Sequence, residues 1–381
     1  MQMGTVTDKV AGSSPSAQED TVTRPSPRHP AQPRRTARIG AAAAALVLAG
    51  AGLAGCSPDS PGSSDGRPKV VAGTSVYGDI ARAVAGDRAQ VDSLVTDANA
   101  DPHSYEATPA DAAKVSSADL VVYNGAGYDS FVDDALANAK DVRTVVGVDE
   151  FAKATGVTVQ PHEHGGHDHG AHDHAGGDHD HAGGGHDHAG GEHDHPAPTT
   201  TDNEHVWFSL PTARAVAEAV SEQLAALDPD DAQAYRDDAR AFGERITPLE
   251  QTMARLGEKA HAHYVQTEPV GAHLFASAGF HDVTPPGFLT AIEEDQDPAA
   301  ADFVATRDLL TSREAAFLAF NTQTTTGVTD QLRSAADGAG VPVVELTETL
   351  PPGTDYVTWM TGQIASVEKA VDRGPAKVAA G

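Results

Sequence analysis

Among the 381 residues there is one cysteine, Cys56, so no disulfide can form within the chain. Aromatic side chains make up 5% of the total, and basic residues are outnumbered, 26 Lys+Arg against 55 Asp+Glu, for a net charge of −29. Such a surface repels nucleic acid and anionic lipid, and it favours solubility and the accumulation of cations. The apolar, Ala-rich run from Ile39 to Leu53 is too short for the roughly 20 residues that cross a bilayer. A His-Glu-x-x-His helix, the signature of many zinc hydrolases, is also missing.

What is present begins with an export signal. Arg34, Arg35 and Arg38 precede the apolar run, which ends in Leu53-Ala54-Gly55-Cys56, a lipobox. Residues 1–55 are predicted to be removed, and Cys56 to be diacylated. Two acyl chains suffice for stable attachment to a membrane. Residues 56–67, rich in Ser, Gly, Pro and Asp, read as a tether.

From Lys69 the pattern is strand and helix in alternation. Val70-Val71-Ala72, Val91 to Val95 and Leu120 to Tyr123 read as strands, and Tyr77 to Ala85 reads as a helix. The segment 161–196 interrupts this series with Gly, Ala, Asp and His, a composition that cannot build a core. Pro211 to Leu227 reads as one helix and 230–260 as a longer one, which Pro248 kinks or divides. Strands then return at Val265, Ala316 to Phe320 and Val341 to Val344.

The expected architecture is α/β, with two lobes that each hold a mostly parallel sheet flanked by helices, joined by a long connecting helix. The lobes span 68–229 and 261–381, with the helix at 230–260. The crevice between them, at strand C-termini, is where such sheets bind ligands.

Four segments carry candidate ligands for that crevice. Asp101-Pro102-His103-Ser104-Tyr105-Glu106 offers His103 on a loop, and Asn203-Glu204-His205-Val206-Trp207 sets His205 beside a large aromatic. Thr267-Glu268-Pro269 puts Glu268 where a strand ends and a helix opens, a position that also complements the helix dipole. Glu345 and Glu348 follow the last strand, and alternation does not choose between them, because the register is lost at Thr347. His273, five residues beyond Glu268, is a further nitrogen candidate on a different helix face.

The insert adds His162 and His164 and then five His-Asp-His triplets: His167 and His169, His172 and His174, His179 and His181, His186 and His188, His193 and His195. Imidazoles and carboxylates on such a chain bind borderline cations weakly and without fixed geometry.

Over Pro68 to Gln363 these segments resemble, in order, the cluster A-I solute-binding lipoproteins of zinc and manganese ABC importers. That resemblance implies ligands at His103, His205, Glu268 and Glu348, a rigid connecting helix with closure by a small tilt or loop ordering, and delivery of the cation to an ABC permease and its ATPase subunit. Glu268 stands where zinc members carry His and manganese members often carry Glu. The late Asp-Pro context is replaced by Leu-Thr-Glu-Thr-Leu. The His-rich insert, frequent in zinc members, outweighs the manganese hint of Glu268. The expected function is therefore capture of Zn(II), with Mn(II) as alternative, by an extracytoplasmic, lipid-anchored protein that nothing requires to be more than a monomer. A zinc-dependent hydrolase is the reading of another class, since two His and one Glu with an open position also make a catalytic zinc set. An adhesin or metal buffer of the same fold is a third.

Overall fold

The computed structural model describes residues 66–161, 199–294 and 296–373. The predicted leader, Cys56, nearly all of the tether and the twelve insert histidines lie outside the described residues.

The first lobe runs β1 (Lys69–Thr74), α1 (Ser75–Ala85), β2 (Gln90–Val95), α2 (Pro109–Ser116), β3 (Leu120–Tyr123), α3 (Ser130–Leu136) and β4 (Arg143–Val146). All its pairings are parallel, in the order β2-β1-β3-β4. Next come α4 (Gly147–Thr155) and a short parallel pair, β5 (Val157–Val159) with β6 (Thr199–Thr201), which flanks the His-rich segment. Helices α5 (Leu210–Leu227) and α6 (Ala232–Lys259) lead to the second lobe. There the order is β7 (His263–Gln266), α7 (Ala272–Ser277), β8 (His281–Asp282), α8 (Pro286–Glu293), α9 (Ala300–Thr311), β9 (Phe317–Asn321), α10 (Gly327–Ala339), β10 (Val343–Leu346) and α11 (Tyr356–Arg373). Its parallel sheet is ordered β10-β9-β7-β8. Counted from each lobe's first strand, the two sheets are wound identically.

Local chemistry accounts for the main boundaries. Thr108 and Asp111 form a reciprocal cap at the start of α2, and Ser209 caps α5 ahead of Pro211, whose missing N–H costs nothing in a first turn. Helix α6 runs unbroken through Pro248, which is exposed, so the predicted break is absent. One turn earlier the Arg214 guanidinium (2.9 Å) and the Thr247 hydroxyl (3.2 Å) both donate to the Gly243 carbonyl. The buried stripe of α6 includes Tyr235 and Ala239 as well as Phe242, Ile246, Leu249, Met253 and Leu256. Ala234 and Ala241, apolar in sequence, are half-buried and exposed.

Side chains alternate across each sheet. Val70, Ala72, Leu120 and Val122 of the first, and Phe317, Ala319, Val344 and Leu346 of the second, enter one common core. That core is filled by the apolar faces of α1, α5, α6, α7 and α11, including Tyr77, Val216, Met253, Phe275 and Met360. Val71, Val121 and Tyr123 face outward into a separate cluster with Val115 and Val132, and Leu318 and Phe320 do the same with Phe288 and Leu310. The two lobes are thus fused through a shared hydrophobic layer. Among the described residues, no helix is long and apolar enough to cross a membrane.

Candidate metal centre

The loops at the C-terminal ends of both sheets converge, as expected for doubly wound topology. His103 lies on a single 3-10 turn, Pro102–Ser104, beyond β2, and the Asp101 carboxylate accepts its backbone N–H at 2.9 Å. His205 is 1% exposed. Asn203 Oδ1 accepts the His205 N–H at 2.9 Å and lies 2.9 Å from its ring Nδ1. The other end of that amide donates to the Pro269 carbonyl at 2.9 Å, which fixes its orientation. Nδ1 of His205 therefore carries the proton, and Nε2 presents a lone pair to the crevice.

Glu348 is 0% exposed. Its Oε2 lies 3.5 Å from His103 Nε2 and 3.7 Å from His205 Nε2, and accepts the Tyr128 hydroxyl at 3.1 Å. Its Oε1 accepts Asn321 Nδ2 at 2.9 Å, and the same amide nitrogen donates to Glu268 Oε2, which also accepts the Thr324 hydroxyl. Asn321 is itself held by its N–H to Thr267 Oγ1 at 3.0 Å. One side-chain amide thus links the carboxylates that follow β7 and β10.

Aromatic rings wall the histidines. Tyr128 meets His103 edge to face at 4.7 Å and packs on Trp207 at 4.5 Å, while Trp207 lies 5.2 Å from His205. Tyr128 is delivered by a turn in which Gly125, Ala126 and Gly127 all have positive φ, closed by Asp129 accepting the N–H groups of Asn124 and Gly125. Burial pushes the Asp129 carboxyl up to about 7.

Electrostatically the pocket is governed by its buried carboxylates, with His103 acting against the upward shift of Glu268. Burial pushes the carboxyl of Glu348 well above the usual range, and the Asp101 charge adds to it. Glu268 is raised by burial and then by Glu348 itself. Two desolvated carboxylates that share one amide donor favour the uptake of a proton or a cation.

The structure brings His103, His205 and Glu348 together, with Glu268 one amide away. It also adds two carboxylates that the sequence reading did not single out. Single ligand atoms of His103, Glu204 and His205 lie within 4.8 Å of one another, and so do those of Asp101, His103 and Glu348. Both acids flank the motif histidines in sequence, which was the available signal. Neighbours on an extended chain point apart, however, and only the tight turn that pairs the Val206 N–H with the Glu204 carbonyl (2.7 Å) brings Glu204 and His205 to one side.

Glu345 and His273 lie outside this group. Glu345 is exposed on β10 and pairs with Arg333. His273 Nε2 donates to the Asn203 carbonyl at 3.0 Å and its ring packs on Phe151 at 4.6 Å, so it supports Asn203 from behind.

Residues 70–370 match the family described as zinc-uptake complex component A, periplasmic (ZnuA). The chain belongs to the ZnuA family. That family consists of solute-binding components and not enzymes, which sets aside the hydrolase reading. Among relatives with curated names, the FimA lipoprotein of Streptococcus parasanguinis, described as a metal ABC transporter substrate-binding lipoprotein, is 29% identical over 204 residues, 52% of this chain and 55% of its own length. The chain thus spans little more than half the length of that relative. The manganese-binding lipoprotein MntA of Bacillus subtilis is 27% identical over 273 residues, 71% of this chain and 76% of its own. The periplasmic zinc-binding protein TroA of Treponema pallidum shares the ZnuA-type fold, with a TM-score of 0.58 at 18% identity, covering 80% of this chain and 99% of that one. The printed names of these similar proteins are divided between manganese and zinc.

Proposed function

We propose that this protein captures Zn(II) outside the cytoplasm and delivers it to the permease and ATPase of an ABC importer, held at the membrane by a lipid on Cys56. The observation that carries the reading is the convergence of His103, His205 and Glu348 in one crevice, with Glu268 linked through Asn321. Two imidazoles and two carboxylates form a borderline donor set suited to Zn(II), Mn(II) or Fe(II). On this reading His103, His205, Glu268 and Glu348 are the ligands and the cation is cargo. A dication replaces the protons that the buried carboxylates otherwise retain. The twelve insert histidines favour zinc, because imidazole-rich bait gains a manganese protein little.

A specific observation favours manganese as the second reading, since the second lobe offers Glu268 where a further imidazole would suit zinc better. Competitive titration of Zn(II) and Mn(II) into the mature protein, and into a form lacking 161–196, tests both. A tight zinc site that survives the deletion and disappears in His205→Ala is expected. Preference for manganese at that site would reverse the metal assignment, and loss of all binding with the deletion would remove the four-residue site altogether.

A further inference from the structure

We infer that Glu204 is an additional metal ligand, whose carboxylate extends the range of cations held here beyond those content with four donors. The inference rests on the capture reading above.

Glu204 differs from an ordinary acidic neighbour in three respects. It is only 4% exposed, so its side chain is withdrawn from bulk water. Its Oε1 is 3.8 Å from His103 Nε2, so a single ion can reach both. Its backbone is pinned, the carbonyl accepting Asn124 Nδ2 at 2.9 Å as well as the Val206 N–H, which sets where its side chain starts. The compact triplet it forms with His103 and His205 does not involve the second lobe.

The chemical consequence follows from donor count. His103, His205, Glu268 and Glu348 provide four groups, enough for tetrahedral Zn(II). With Glu204 there are three glutamates and two imidazoles, an oxygen-rich set that suits cations preferring more than four ligands and hard donors, such as Mn(II). Zinc still binds, since it stands above manganese in the general affinity order. Glu204 is thus a specificity residue that admits manganese without excluding zinc, and selection between the metals falls to their availability.

The test uses the full chain with Glu204→Gln, which keeps shape and removes charge, and Glu204→Asp, which keeps charge and withdraws the oxygen. Mn(II) binding is followed by loss of the free-ion electron paramagnetic resonance signal, a readout that the insert imidazoles barely disturb, and Zn(II) binding by competition with a chelator. Both variants are expected to lose at least tenfold in Mn(II) affinity and less than threefold in Zn(II) affinity, with unchanged metal-free melting. Mn(II) affinity within twofold of the parent in Glu204→Gln overturns the inference. So does Glu204→Asp binding like the parent, because charge alone would then suffice. If the parent binds neither metal at a site that His205→Ala removes, the capture reading itself has failed, and the Glu204 inference fails with it.

Discussion

The first lobe brings both imidazoles of the centre on its loops, His103 after β2 and His205 ahead of α5, while the second brings Glu268 after β7 and Glu348 after β10. Their sheets are wound in the same order, so topology does not explain the division of chemistry. The support of each side does. On the imidazole side the sequence neighbour Asn203 meets the His205 ring and Asp101 holds the backbone of the His103 turn, while Asn203 is itself fixed by Pro269 and His273 of the second lobe. The second-lobe carboxylates share Asn321 from the end of β9, so neither can be arranged until the sheet is formed. The imidazole side thus leans on sequence neighbours as well as on the second lobe, and the carboxylate side on tertiary structure alone.

That contrast can be tested at decreasing cost to binding. Removing His205 as alanine should lower affinity for the tight cation by more than the roughly 10–100-fold typical of supporting residues, as read by chelator competition. Asn203→Ala, which frees the imidazole and the Pro269 carbonyl together, should fall within that 10–100-fold range while the protein still folds. An equal loss in the two variants would show that His205 matters through orientation alone.

Metal-free stability and cation affinity should depend on pH with opposite sign. Burial pushes Asp129 up to about 7, and Glu268 and Glu348 are also raised above their unfolded values. The folded metal-free protein then binds more protons than the unfolded chain, so this contribution is complete below about pH 4 and is lost as pH rises towards 7 and beyond. Melting of the metal-free form should decline from pH 5 to 8 in calorimetry, whereas cation affinity should rise over the same interval as protons leave the carboxylates. A metal-free melting temperature that climbs through this window would refute the shifts. The smallest effect is expected at Glu345→Ala, which removes an exposed pair with Arg333: within about 1 kcal/mol in stability and no change in affinity, in contrast to Glu348→Ala.

Most strands could be read directly because they are short β-branched runs buried on both faces, as in Leu120 to Tyr123. Others could not. β4 is half-exposed and preceded by charged residues, β8 has two residues, and the β5–β6 pair joins segments on either side of the insert. At the site, His103 and His205 stood out in sequence through their motifs. The choice between Glu345 and Glu348 did not, because β10 ends at Leu346 and the chain turns there, with Thr347 Oγ1 donating to the Thr349 carbonyl at 3.0 Å. Glu204 was hidden by a different effect, a turn of one residue that cancels the alternation expected of an extended chain.

The shared core has a consequence for time as well as for stability. Tyr356 from α11 donates to the Trp207 carbonyl at 2.7 Å deep in the layer that joins the lobes, and swinging the lobes apart would expose that layer to water. On the capture reading, a bound ion would leave without a wide parting of the lobes. Its residence is set by the loops around it, such as the contact in which Gln323 Nε2 reaches across to the Ala98 and Ala100 carbonyls at 3.3 and 2.6 Å. On the proposed capture and delivery, a receiving permease would have to loosen those few hydrogen bonds, and the dwell time of the ion would become a property of its grip on the loops.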